Sequence, residues 1–153
     1  METRAENKQS ESASNIEQTP FRLVVIYDSE EAKSEAASAS DFILRELGEE
    51  ILVEKTFWNV RSLGILDVQD RAINHAADAD VILLALSVPE APEELKIWAE
   101  SWLKLRSSAE GLLAVIPTGS KEVNSSDLVE YFYETAVSAN MDFICRNKQN
   151  RLV

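Results

Sequence analysis

The chain has 153 residues, 45% of them hydrophobic and 27% charged, which is enough for one globular domain with its own core. Its 27 acidic and 15 basic residues give a net charge of −12. A surface this acidic repels phosphate backbones and anionic lipid headgroups, so we expect neither nucleic-acid nor membrane binding. The single cysteine, Cys145, excludes an internal disulfide and, with the polar N-terminus, predicts a cytoplasmic protein.

Composition divides the chain into a domain and two tails. Residues 1–19 contain one large aliphatic side chain after Met1, that of Ile16, and cannot bury enough apolar surface to offset their chain entropy. We therefore expect this polar segment to be disordered. Residues 20–147 contain the long apolar runs and form the predicted domain, and residues 148–153 form a second polar tail.

Five short apolar runs predict five β-strands. Most of these runs are continuous and rich in aliphatic side chains, which is typical of strands buried on both faces of a parallel sheet. The second run alternates between apolar and polar residues, which favours a position near the edge. The predicted strands cover residues 23–27, 51–57, 81–86, 112–116 and 142–146.

Four helices are predicted between these strands, each with one apolar stripe. The first begins after Asp28 and Ser29, which are both candidate N-caps, with Glu31 at capping-box spacing from Asp28. This helix is expected to end at Gly48, and the third helix at Gly111. Strands that alternate with helices predict right-handed βαβ units. We therefore expect a doubly wound, five-stranded parallel sheet of order 2-1-3-4-5 in a three-layer α/β/α sandwich, the flavodoxin-like fold.

Polar side chains follow the carboxyl ends of the predicted strands, which is where ligands bind in doubly wound sheets. The candidate rim residues are Asp28, Ser29, Asn59, Ser87, Thr118, Ser120 and Arg146. The first turn of this rim has no glycine but three carboxylates, those of Asp28, Glu30 and Glu31, and would repel a phosphate. The sequence contains no strong metal-ligand or catalytic-triad spacing, so we expect no cofactor and no metal ion.

Two tyrosines of the last predicted helix are candidate interface residues. Tyr131 and Tyr133 fall outside the apolar stripe of this helix, which includes Leu128, Phe132 and Ala136. Exposed aromatic side chains are enriched at the energetic centres of protein interfaces. We therefore expect a protein partner, with a homodimer among the candidates.

The third and fifth predicted strands resemble those of a response-regulator receiver domain. Residues 80–89 are similar to the receiver segment that carries the phosphoacceptor aspartate, with Pro89 at the position of the proline four residues later. Thr118 matches the Thr or Ser that follows the fourth receiver strand, and Asp28 matches the second of the paired receiver acids. The resemblance covers nearly the whole domain in the order of its elements and implies the same five-stranded fold.

Three departures from the receiver pattern remove its phosphoryl chemistry. Ala85 stands at the phosphoacceptor position, Tyr27 replaces the first of the paired acids, and Arg146 replaces the lysine of the fifth strand. The single remaining carboxylate offers too few oxygens for a magnesium ion. The resemblance therefore implies a non-catalytic receiver-like module that binds protein partners without phosphorylation.

Two other functions remain open from the residues alone. A small-ligand or flavin-binding flavodoxin-like protein, which could be an oxidoreductase, would flank a planar ring with Trp58 and Asn59. An enzyme with an unfamiliar site would place it around Asp28, Ser87 and Thr118.

Overall fold

The computed structural model describes residues 19–48, 50–107, 110–119, 127–147 and 151–152. The parallel strands are β1 (Phe21–Tyr27), β2 (Val53–Asn59), β3 (Val81–Leu86), β4 (Leu112–Pro117) and β5 (Asp142–Asn147). The helices within the same ranges are α1 (Glu30–Leu47), the 3-10 helix η1 (Val60–Gly64), α2 (Leu66–Ala77), α3 (Glu93–Leu105) and α4 (Asp127–Ala139). The predicted disordered segment, except for its last residue, lies outside the described residues.

The five strands form one sheet of order β2-β1-β3-β4-β5, in which each of these neighbouring pairs is parallel. This order confirms the doubly wound, flavodoxin-like architecture that the sequence predicts. β2 lies at the edge, as its alternating pattern indicated. In the register of β1, Tyr27 lies opposite Asn59 on one side and Ala85 on the other. The carboxyl ends of β1, β2 and β3 are therefore level at one edge of the sheet.

A short sixth strand, β6 (Arg151–Leu152), pairs antiparallel with β5 and extends the sheet beyond the predicted five strands. This segment belongs to the predicted polar C-terminal tail, and its composition did not predict a strand. Antiparallel neighbours need only a short connection, whereas parallel neighbours need a crossover of a dozen or more residues. The few residues after β5 are therefore sufficient for this pairing.

The helices cover the two faces of the sheet unequally. Ala32, Ala36 and Ala39 of α1 pack against one face, where their small side chains allow a close approach of helix and sheet. The other face is covered by α2, α3 and α4, and its core includes the fully buried indoles of Trp98 and Trp102. Complete burial of one large apolar side chain contributes about 1.5–3 kcal/mol. No helix in the described part of the chain is long and apolar enough to cross a membrane.

The C-terminal end of α3 differs from the prediction. The helix ends at Leu105 instead of continuing to Gly111, and Arg106 takes an extended conformation. The Arg106 guanidinium then donates hydrogen bonds to the backbone carbonyls of Ala76 and Glu110. Gly111 precedes β4 with a φ of +144°, and a Cβ at this position would lie 2.5 Å from Nη2 of Arg106. The glycine is favoured by this positive φ, which L side chains rarely adopt, whereas the arginine end could shift.

Candidate functional site

Asp28 and Ser87 meet at the point where the strand order reverses, between β1 and β3. The backbone N–H of Ser87 donates to Oδ2 of Asp28 at 2.8 Å, and the Ser87 hydroxyl lies 3.1 Å from Oδ2 and 3.2 Å from Oδ1. Hydrogen bonds to an ionised carboxylate are stronger than those between neutral groups. Asp28 therefore joins the ends of two neighbouring strands across the crevice in which ligands of doubly wound proteins bind.

Ser29 and Asn59 have local roles as caps. Ser29 is the N-cap of α1, and its Oγ accepts a hydrogen bond from the backbone N–H of Ala32 at 3.1 Å. The prediction of Asp28 as an N-cap was wrong, because the side chain of Asp28 binds Ser87. Oδ1 of Asn59 accepts from the backbone N–H of Arg61 at 2.9 Å and caps η1. The hydrogen-bonding capacity of these two rim residues is thus directed to the protein's own backbone.

Thr118 lies directly after β4 and is almost completely buried. Its backbone N–H donates to the carbonyl oxygen of Leu86 at 2.8 Å and continues the pairing of β3 with β4. Its side chain is 2% exposed, and its hydroxyl has no hydrogen-bond partner in the described structure. Leaving a buried hydroxyl unsatisfied costs about 1–3 kcal/mol. The next predicted rim residue, Ser120, lies outside the described residues.

Arg146 of β5 is directed towards α1. Its Nη2 lies 3.5 Å from Oε1 of Glu35, and both side chains are partly exposed. An ion pair of this kind contributes about 0–1 kcal/mol to stability. Because Glu35 balances its charge, Arg146 does not add an uncompensated positive charge to the rim.

Two positions that depart from the receiver pattern, Ala85 and Tyr27, lie near the carboxyl ends of β3 and β1. Ala85 is fully buried in the core beneath α1. Nζ of Lys33 lies 5.3 Å from the ring centroid of Tyr27, so an ammonium group occupies the surroundings of the first receiver acid. A nearby cation opposes the binding of a divalent metal ion. Within the described ranges, no group of three or more His, Cys, Asp or Glu side chains could hold a metal.

A second candidate site lies on the outer surface of α4. Tyr133 is 50% exposed, and its ring packs edge-on against Phe143 of β5 with the ring centroids 5.5 Å apart. One helical turn further along, Val137 is 54% exposed, and one turn before Tyr133 the side chain of Val129 is partly buried. We call Val129, Tyr133 and Val137 the α4 stripe. Exposed apolar side chains one turn apart on a helix make this surface a candidate interaction site.

Tyr131 does not belong to this exposed surface. Its hydroxyl donates to Oε2 of Glu100 on α3 at 3.2 Å, and Nζ of Lys96 lies 5.5 Å from the centre of its ring. Burial, and then the nearby Glu100 carboxylate, raise the pKa of Tyr131 to about 12. Of the two predicted interface tyrosines, Tyr133 is therefore presented to solvent, whereas Tyr131 packs between α3 and α4.

Acidic side chains lie beside the α4 stripe. Glu130 and Glu134, which we call the acidic border, are exposed and follow Val129 and Tyr133 directly in the sequence. Together with Asp127 and Glu100 they line a groove between α3 and α4. No lysine or arginine forms a salt bridge with Glu130 or Glu134 among the residues that the structure describes. Neither the two valines nor the acidic border was predicted from the sequence, although the four-residue spacing of the stripe is visible there.

In comparisons with known proteins, no family model, no curated protein and no solved structure matches the chain. The function is therefore inferred from the chemistry and geometry of its own residues.

Proposed function

We propose that this chain is a non-catalytic, receiver-like protein-interaction module that acts without phosphorylation. The observation that carries this proposal is the α4 stripe, where Tyr133 and Val137 are about half exposed on the flank of a helix whose inner side chains lie in the core. Aromatic side chains provide large contact areas at low cost in conformational entropy and dominate the binding energy of many interfaces. The outer surface of α4 is thus the proposed contact surface, with Tyr133 as its anchor.

The state of the rim supports a function without catalysis. The carboxylate of Asp28 is held by the backbone and the hydroxyl of Ser87, and Ala85 supplies no nucleophile. Alanine, instead of the receiver aspartate, suits position 85 because this position lies in the apolar core, where an unpaired carboxylate would be destabilising. The described part of the rim therefore serves mainly to join strands and cap helices.

The flavin-binding alternative has less support from the geometry. Trp58, the residue proposed to flank a planar ring, packs against His75 of α2 with the ring centroids 5.6 Å apart. Its indole N–H donates to Oγ1 of Thr56 at 3.0 Å. The indole thus has a packing role between β2 and α2 that accounts for its position.

Site-specific photocrosslinking tests the proposal and has a matched control in the chain. Tyr133 and Phe42 are aromatic, lie on helices that cover opposite faces of the sheet, and are 50% and 57% exposed. Each is replaced separately by benzoylphenylalanine in the full chain, and the protein's native cells are irradiated. We expect the variant at position 133, and not that at position 42, to form a discrete protein adduct, with a second copy or with another protein.

The opposite result would be the absence of an adduct at position 133, or the same set of adducts from both positions. Either outcome would contradict the proposed function, because an exposed aromatic side chain would then have no specific protein contact. Circular dichroism of both purified variants checks that the fold is unchanged.

A further inference from the structure

We propose that the occupant of the outer surface of α4 is a cationic, amphipathic segment of another protein, and not a second copy of this chain. This inference rests on the proposed function and specifies its partner. It follows from the combination of the α4 stripe and the acidic border beside it.

The apolar part of the partner follows from the α4 stripe. Val129, Tyr133 and Val137 are spaced by one helical turn and face the same side of α4. The ring of Tyr133 packs edge-on against Phe143, which restricts its rotamers, while half of the side chain stays exposed. An ordered apolar anchor lowers the entropic cost of association and fits a partner that presents its own apolar side chains.

The cationic part of the partner follows from the acidic side chains beside the stripe. α4 contains Asp127, Glu130 and Glu134 and no lysine or arginine. The groove that these residues line also includes Glu100 of α3. Lys96 lies nearby, but its ammonium group is placed over the ring of Tyr131. The surface is therefore complementary to Lys and Arg side chains, because opposite charges across an interface favour the encounter and fix the register.

The same charges disfavour a second copy. In a two-fold symmetric dimer the same surface of each protomer faces its counterpart. A contact of α4 with α4 would bring three acidic side chains from each copy to one interface, without a basic residue on either helix. The net charge of −12 adds to this repulsion. A different chain with basic residues around an apolar face avoids it.

Fluorescence anisotropy with the full chain tests this inference. The probe is a labelled amphipathic helical peptide of leucine and lysine, and its counterpart has glutamate in place of lysine. We expect the leucine–lysine peptide to bind, the glutamate peptide not to bind, and the double substitution Glu130→Gln and Glu134→Gln to weaken binding about tenfold. Tyr133→Ala should weaken it by at least as much.

The matched control is the double substitution Asp67→Asn and Asp70→Asn on the exposed surface of α2. It also removes two negative charges, but away from α4. We expect the control to change the affinity by less than about twofold, since these charges lie on a different helix from the proposed contact surface and solvent ions screen exposed charges. Equal losses in both double variants would mean that the peptide senses only the overall charge, and this would overturn the inference.

Sedimentation velocity separates the failure of this inference from the failure of the proposed function. A dimer that Tyr133→Ala dissociates would make the second copy the occupant; it would overturn the inference and leave the interaction module intact. Failure of the leucine–lysine peptide to bind would also overturn the inference. The proposed function itself fails when position 133 gives no specific photoadduct.

Discussion

Asp28 occupies the place at the end of β1 where a flavodoxin-like protein would bind a phosphate. In this chain its carboxylate accepts hydrogen bonds from the backbone N–H and the hydroxyl of Ser87 instead. Ser29 satisfies the first turn of α1, so the two neighbouring residues divide the tasks of strand linkage and helix capping. At the scale of single residues, the described rim is therefore a structural junction.

Substitution of Asp28 should reveal this structural role. Asp28→Ala removes the acceptor of the Ser87 N–H, and we expect the free energy of unfolding to fall by about 1–3 kcal/mol. Ser29→Ala removes the N-cap and should cost about 1 kcal/mol. Urea denaturation measures both changes. Glu90→Gln, at an exposed loop position after β3, is the control and should change stability by less than about 0.5 kcal/mol. An effect of Asp28→Ala as small as that of the control would show that the junction contributes nothing.

At the scale of elements, α4 presents different chemistry to α3 and to solvent. Two residues that are two positions apart on an α-helix point about 200° away from each other around the axis. Tyr131 therefore turns to α3 and Glu100, whereas Tyr133 turns to the opposite side, beside Phe143 and solvent. The sequence predicted that both tyrosines lie outside the inner stripe, and the helical phase explains why they have separate environments.

The environment of Tyr131 makes a testable prediction about pH. Its pKa is raised from 10.0 to about 12, first by burial and then by the Glu100 carboxylate. The folded protein thus retains this proton in a range where the unfolded chain releases it. The contribution to stability is fully present below pH 10 and is lost as the pH rises towards about 12.

Spectrophotometric titration of tyrosinate measures the effect. The difference between the curves of the parent and the Tyr131→Phe variant should have its midpoint near pH 12. Repeating the subtraction in a Glu100→Gln background should move the midpoint down, because the negative charge that opposes ionisation is gone. A parent midpoint at the ordinary value of 10.0 would contradict the packing of Tyr131 between α3 and α4.

At the scale of the whole molecule, the doubly wound sheet provides a crevice for a ligand, whereas the negative charge disfavours a ligand that contains phosphate. The fold provides a crevice at the carboxyl ends of β1 and β3, where many such proteins bind phosphate-containing ligands. In this chain Asp28 and Glu30 lie at the first turn, and the N–H of Ala32 is already bound to Ser29. A phosphate would have to displace the cap and approach these carboxylates.

We therefore expect the purified protein to be colourless and not to bind flavin mononucleotide at micromolar concentration. The carboxylates of Asp28 and Glu30 lie at the first turn, and the N–H of Ala32, which could otherwise hold a phosphate, is bound to Ser29. Titration of flavin fluorescence with protein measures the binding. Quenching that saturates at micromolar protein, or a yellow protein on purification, would contradict this expectation and favour the flavin-binding alternative.

The sequence was sufficient for the order and type of the main elements. The run Val81–Leu86 is wholly apolar, and it forms the fully buried strand β3; the alternating second run forms the edge strand β2. Trp98 and Trp102, spaced by one helical turn, are likewise fully buried on the inner side of α3. These features depend on periodicity within a few residues and on the general handedness of βαβ units.

Tertiary structure decided the partners of the polar side chains. Asp28 and Ser87 are 59 positions apart, and Arg146 and Glu35 are 111 positions apart. The residue after α3, Arg106, contacts the backbone of Ala76, which is distant in the sequence. The strand β6 forms because the chain turns back and pairs antiparallel with β5. Apolar burial leaves a periodic local pattern, whereas a hydrogen bond depends on distance and angle between two groups that only the packed backbone brings together.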